Sequence, residues 1–257
     1  MTWNCGSIWQ IALLFITGVF AGICNVMAGG GSLVTMPLLI FLGLDSAAAN
    51  ATNRLAIAVQ SVSAVAGFRR KGIGNTKFCL LLTLPALPGA ILGAISAARI
   101  DDQNFRRILS VVMILILVLI LTQSKRRGES AVQKPDVSPG RKLGIIVAFA
   151  GIGFYSGFIQ AGVGFIVIAA LTSLAGLDLV RTNGYKVFII GVTTWMAVGI
   201  FIYLDLIAWG LSFVLASGTA LGGWLGSHWA VAGGEKWVRR VLTAAVLASA
   251  AKLLGAF

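Results

Sequence analysis

Ten apolar stretches separated by short polar punctuation run along this chain, at approximately 8–28, 33–44, 46–68, 78–98 and 105–123, then 143–163, 165–177, 183–203, 206–230 and 237–256. A membrane crossing needs about 20 predominantly apolar residues. Long uncharged runs meet that need: no charged side chain occurs in residues 1–44, 78–98, 143–177 or 206–234. The pattern predicts an all-α integral membrane protein. The second stretch of each set of five is too short to span. It pairs with its predecessor as a short glycine-broken hairpin, which leaves three full transmembrane helices per half.

The two sets are copies. Gly29, Gly31, Gly43-Leu44-Asp45, Asn50, Gly89, Leu92, Gly93, Arg106, Arg107 and Leu109 return 133 positions later as Gly162, Gly164, Gly176-Leu177-Asp178, Asn183, Gly222, Leu225, Gly226, Arg239, Arg240 and Leu242. Gly18 and Gly22 match Gly153 and Gly157 at an offset of 135. The chain therefore divides into a first transmembrane repeat, 1–123, a linker, 124–142, and a second repeat, 143–257. Related halves in membrane proteins place binding sites at the seam between them. A unit with an odd number of crossings is followed by its copy upside down, so inverted topology is expected. Loop charge agrees: Arg69, Arg70, Lys71 and Lys77 follow the third stretch of the first half, whereas the matching loop of the second half has only Asp205. The positive-inside rule puts the first in the cytoplasm and the second outside. The stretch 99–107 runs against this, because Arg99, Arg106 and Arg107 outnumber Asp101 and Asp102 on the outer side.

Composition sharpens the class. Apolar residues make up 58% of the chain and charged ones 11%, outside the range of soluble domains. The net charge of +12 sits between the apolar runs. The linker, with Lys125, Arg126, Arg127, Lys134, Arg141 and Lys142, is a cytoplasmic retention signal and not a nucleic-acid arm, for it has no stacked aromatics or binding motif. The N-terminal stretch has no basic flank and is expected to be a retained segment. Cys5, Cys24 and Cys79 have no C-x-x-C spacing. His228 is the only histidine, and without clustered acids no metal site or cofactor is expected. Paired carboxylates, histidine clusters and nucleophile–base pairs do not occur within the spans, so no catalytic residue is assigned and an enzyme is not expected.

Two polar constellations interrupt the apolar pattern. The first is Asn25-Val26-Met27-Ala28-Gly29-Gly30-Gly31-Ser32, matched by Gln160-Ala161-Gly162-Val163-Gly164. Glycine runs break helices, and a break in lipid leaves amides that protein, water or ligand must satisfy. A helix restarting after such a break aims N–H groups and partial positive charge at a cavity, where an anion fits. The alternative is that the glycines serve close helix packing, which is the better account of Gly89-x-x-x-Gly93 and Gly222-x-x-x-Gly226. The second constellation is Asn50-Ala51-Thr52-Asn53-Arg54, mirrored by Asn183-Gly184-Tyr185-Lys186. A cation here faces either an anion or, by snorkelling, the headgroups. Asp45 and Asp178 precede these helices as N-terminal caps. All eight carboxylates fall at segment ends or in loops, which disfavours a buried carboxylate relay.

The block AGGGSLVTMPLLIFLGL, followed by AAANATNRLAIAVQS, a basic loop and a weaker second copy, resembles the TauE/SafE family of sulfite and organosulfonate exporters over nearly the whole chain. The second copy, QAGVGFIVIAAL, lacks the glycine triplet and the proline corresponding to Pro37. The resemblance implies a multi-pass permease of a bacterial-type inner membrane, moving small sulfur oxyanions outward, with the two glycine hairpins meeting around the pathway. On this reading Asn25, Gly29, Gly30, Gly31, Ser32, Gln160, Gly162 and Gly164 hold the anion from the breaks. Asn50, Thr52, Asn53, Arg54, Asn183, Tyr185 and Lys186 add charge and hydrogen bonds. The partners are a small anionic substrate and the lipid bilayer, and a homodimer is one arrangement the sequence allows. Transport proceeds by alternating access; the alternative is an anion-selective channel for small oxyanions.

Overall fold

A computed structural model describes residues 8–123, 139–175 and 177–232; the tenth apolar stretch, 237–256, and most of the linker lie outside the described residues. The described residues form nine α-helices: α1 (Ile8–Met27), α2 (Ser32–Phe41), α3 (Ser46–Arg70), α4 (Thr76–Arg99), α5 (Asp102–Gln123), α6 (Pro139–Phe158), α7 (Val163–Ala175), α8 (Leu179–Tyr203) and α9 (Trp209–Ala232). Each coincides with one of the first nine apolar stretches. The largest differences lie in α6, which starts at Pro139 inside the stretch assigned to the linker and stops five residues short of the expected 163. Proline suits a helix start because its missing N–H would be unpaired there anyway.

Local chemistry sets several of the other ends. Asp45 Oδ1 accepts from the Ala48 amide at 2.8 Å, and Asp178 Oδ1 accepts from Val180 and Arg181 at 3.1 and 3.0 Å, capping α3 and α8 as expected. Asn75 does the same for α4 through the Phe78 amide. Helices α1, α4 and α8 are long and apolar enough to cross a membrane. Leu80, Leu81, Leu84, Leu92, Leu115 and Phe213 are exposed on the outer surface, where a bilayer would cover them.

The helices exchange partners across the chain. Helix α1 packs on α9 and α4 on α6, while α3 and α8 contact each other and, respectively, α9 and α4. Glycine stripes make the outer pairs close. A Cβ on Gly22 would lie 2.5 Å from the Thr219 carbonyl oxygen, and one on Gly157 would lie 2.1 Å from that of Ala90. Lipid supplies no hydrophobic drive between helices, so van der Waals contact from such close approach holds these pairs together. Gly89 and Gly93 also meet α6 in this way, as the packing account of their spacing expects.

At the centre, α3 and α8 run in opposite directions: Gly184 lies against Phe68, Gly191 against Ser61, and the Arg54 guanidinium over the Phe201 ring. Sixteen of the 25 residues of α3 are buried although many are polar. A helix that is polar and buried must spend its polar groups on other protein segments.

Candidate functional site

Both helix breaks exist and are built alike. Helix α1 ends at Met27 and α2 begins at Ser32; between them Gly29 has φ +91°. The Asn25 side chain holds this turn, its Oδ1 accepting from the Gly31 amide at 2.7 Å and its Nδ2 donating to Gln60 Oε1 at 3.0 Å. Helix α6 ends at Phe158 and α7 begins at Val163, with Gln160 at φ +57° and Gly162 at φ +72°. Here Gln160 Nε2 donates to Thr194 Oγ1 at 2.8 Å, and the Tyr155 hydroxyl closes the turn on the Ala161 carbonyl. In each case an amide side chain at the break ties it to the buried helix of its own half. The breaks touch each other backbone to backbone, since a Cβ on Gly29 would lie 2.4 Å from Gly164 Cα.

The two buried cations cross the seam. Arg54, on α3, donates from Nη2 to the Gly157 carbonyl at 2.7 Å, from Nη1 to the Ser156 carbonyl and from Nε to Asn50 Oδ1 at 3.2 Å. Asn50 Nδ2 adds a bond to the Phe158 carbonyl at 2.9 Å. Lys186, on α8, donates from Nζ to the Val26 carbonyl and to Asn183 Oδ1, both at 2.8 Å. Each cation thus sits on the last carbonyls of the other half's broken helix, where the helix dipole is negative. Both side chains are fully buried, so neither snorkels to the headgroups.

Where the breaks meet lies a cavity of about 20 Å³, lined by Asn25, Gly29, Ser32, Gln160 and Lys186, with Gln60 and Ser61 from α3 and the aliphatic Ile57, Val163, Val187 and Ile190. That volume holds about one water molecule. The first turns of α2 and α7 both reach it, bringing their positive ends to one point. Its wall contains no carboxylate. Gln160 Oε1 and Asn53 Nδ2 are buried without a protein partner.

The remaining expected residues are distributed around this point. Gly30 and Gly31 lead into α2, their carbonyls accepting from Leu33 and from Val34 and Thr35. Asn53 Oδ1 accepts from Thr35 Oγ1 at 2.6 Å, joining α3 to α2. Gly162 packs against Ile116. Thr52 lies elsewhere, its hydroxyl accepting from the Ala208 amide and its carbonyl from Ser212, which fastens α3 to the start of α9. Tyr185 turns away onto Phe78, with ring centroids 5.5 Å apart. Sequence reasoning missed Gln60, Ser61 and Thr194. The signal was present, because Gln60-Ser61 and Thr193-Thr194 are polar pairs one repeat offset apart inside apolar helices.

The sequence of the chain matches a known family. The family described as "Sulfite exporter TauE/SafE" matches residues 14–253. The chain is 28% identical to the probable membrane transporter protein ORF9 of a Sinorhizobium species, over 95% of its own length and 92% of that protein. It is also 28% identical to the probable membrane transporter protein YfcA of Escherichia coli strain K12, over 95% and 89% of the two chains. A probable membrane transporter protein of Haemophilus influenzae is 27% identical over 95% and 94%. No solved structure matches the chain.

Proposed function

The chain belongs to the TauE/SafE sulfite exporter family and is a multi-pass membrane transporter, not an enzyme; from that premise we propose that it exports small sulfur oxyanions, sulfite or organosulfonates, across a bacterial-type inner membrane. The two halves are inverted copies that give alternating access to the site between them, with the basic linker in the cytoplasm. The opposed directions of α3 and α8 and the reciprocal pairing of α1 with α9 and α6 with α4 support the inversion.

One observation carries the substrate class. Two helix N-termini, the Lys186 ammonium, the Ser32 and Ser61 hydroxyls and three side-chain amides converge on a cavity whose wall has no carboxylate. Such a wall offers partial and full positive charge and carries no formal negative charge. Arg54 and Lys186 hold the breaks in shape, and Lys186 also reaches the anion. The cavity has no room for a sulfonate in this conformation, which supports an occluded carrier state over a continuous pore.

The test is binding and flux by the purified protein. Sulfite and a short organosulfonate should raise its thermal midpoint, with chloride and phosphate as controls, and should leave loaded proteoliposomes. Lys186→Gln keeps a donor for the Val26 carbonyl but removes the charge. It should weaken anion binding about tenfold while the protein stays folded. Equal binding by this variant and the parent would remove Lys186 from the site, and a response to chloride and phosphate as strong as to sulfite would defeat the assignment of substrate.

A further inference from the structure

Helices α4 and α8 touch at their starts, where Phe78 meets Tyr185, and part toward their ends. There they leave a groove of about 630 Å³ opening on the outer surface, lined by Ile91, Ile95 and Ala98 of α4 and by Trp195, Met196, Gly199, Ile200, Tyr203 and Leu204 across α8 and its end. Arg99, the last residue of α4, and Tyr203 supply its polar groups. The volume falls within the roughly 300–1,000 Å³ of small-molecule sites.

The repeat explains why the groove exists. The corresponding pair in the other half-to-half contact is α9 with α3, and that seam is shut. Ser63 donates to the Ala220 carbonyl at 2.8 Å and Thr219 to that of Ala56 at 3.0 Å. Gly67 allows α9 so close that a Cβ would lie 2.0 Å from Ser227 Oγ. One offset of 133 turns Ser63 into Met196 and Gly67 into Ile200, and Thr219 corresponds to Ala86. The hydroxyl clasps are gone, and the branched Ile200 stands where glycine permitted contact. A Cβ on Gly199 would meet nothing within 4 Å.

We propose that this groove is a specific phospholipid site, with one acyl chain lying between α4 and α8 and the lipid phosphate on the Arg99 guanidinium. The lining is apolar along its length and carries its cation at a helix end, which is the charge pattern of a lipid with a phosphate at the chain's head. The neighbouring acids are occupied: Asp102 by Arg106 and the Ser46 amide, Asp101 by Asn104. Arg99 has no ion-pair partner among the described residues. Arginine binds phosphate through two parallel N–H donors, which fixes the head while the groove fixes the chain. This site is separate from the central cavity and does not depend on which anion is transported.

The test uses the full-length protein in detergent, titrated with phosphatidylethanolamine and, separately, with diacylglycerol of the same chains. Phosphatidylethanolamine should raise the thermal midpoint and diacylglycerol should not. Arg99→Ala, a change at an exposed position, should weaken the phospholipid response about tenfold. Gly199→Phe fills open space, so it should leave the lipid-free midpoint unchanged and abolish the response. Equal responses to both lipids, or parental responses from Arg99→Ala, would overturn the proposal. So would a dimer of the parent that Gly199→Phe converts to monomer in size-exclusion chromatography, since the groove would then hold a second copy.

Discussion

A guanidinium withdrawn wholly from water must recover its hydration from the protein, and Arg54 does so with two carbonyls at the end of α6 and the Asn50 side chain. Removing it leaves those acceptors buried without donors. Arg54→Ala should therefore cost about 1–3 kcal/mol for each carbonyl left unsatisfied, and Arg54→Lys distinctly less. Chemical or thermal denaturation in detergent measures this. An unchanged midpoint for Arg54→Ala would mean that the side chain reaches solvent or lipid headgroups instead. Residue identity told only part of this in advance. That Arg54 and Lys186 matter follows from a cation in an apolar stretch, whereas what they hold does not. Arg54 is bonded to carbonyls 102 and 103 residues away, and Lys186 to one 160 residues away, and main-chain acceptors leave no mark in the side-chain pattern. The missed pair Gln60-Ser61 shows the converse, for its copy at 193–194 was visible and only its partners were not.

Elements were more legible than contacts, because an uncharged run of membrane length has few alternatives to a helix. The ends were set by Asp45, Asp178 and the glycine breaks, all of which can be read locally. How far each break is broken could not be read, since Gln160 and not a glycine takes one of the left-handed positions in the second half. The tenth stretch, 237–256, lies outside the described residues. At this scale the decisive feature is the contact of Gly29 with Gly164. Gly29→Ala meets positive φ and a neighbouring Cα at 2.4 Å together. The backbone conformation alone should cost about 1–3 kcal/mol, and the overlap should push the breaks apart and stop transport. Gly151→Ala on α6, where a Cβ meets nothing, should be neutral or slightly stabilising. The pair is read by midpoint and by flux in proteoliposomes. If Gly29→Ala transports as well as Gly151→Ala, the two breaks do not need to touch.

The whole molecule combines these parts into a device with one conformational demand. Each half lends a cation to the broken helix of the other, so the halves cannot separate at the seam without stripping a buried charge of its acceptors. Movement that keeps those bonds must carry each cation together with the helix end it holds. That makes α1 with α9 and α4 with α6 the pairs that move as units, and a slide at the α3–α8 crossing must also open the hydroxyl clasps between α3 and α9. On the proposed alternating access, the cavity beside Ser32 and Ser61 opens to one face at a time. A version with Cys5, Cys24 and Cys79 replaced and Ser32→Cys introduced should react with a charged, membrane-impermeant thiol reagent added to either face of sealed vesicles. Reaction should be slow, since Ser32 is buried in the closed form, and sulfite should slow it further by occupying the same space. Labelling from one face only would rule out alternation. Fast labelling from both faces, accompanied by discrete single-channel currents in a planar bilayer, would mean a continuous pore, because a carrier moves too few ions per cycle to be seen that way.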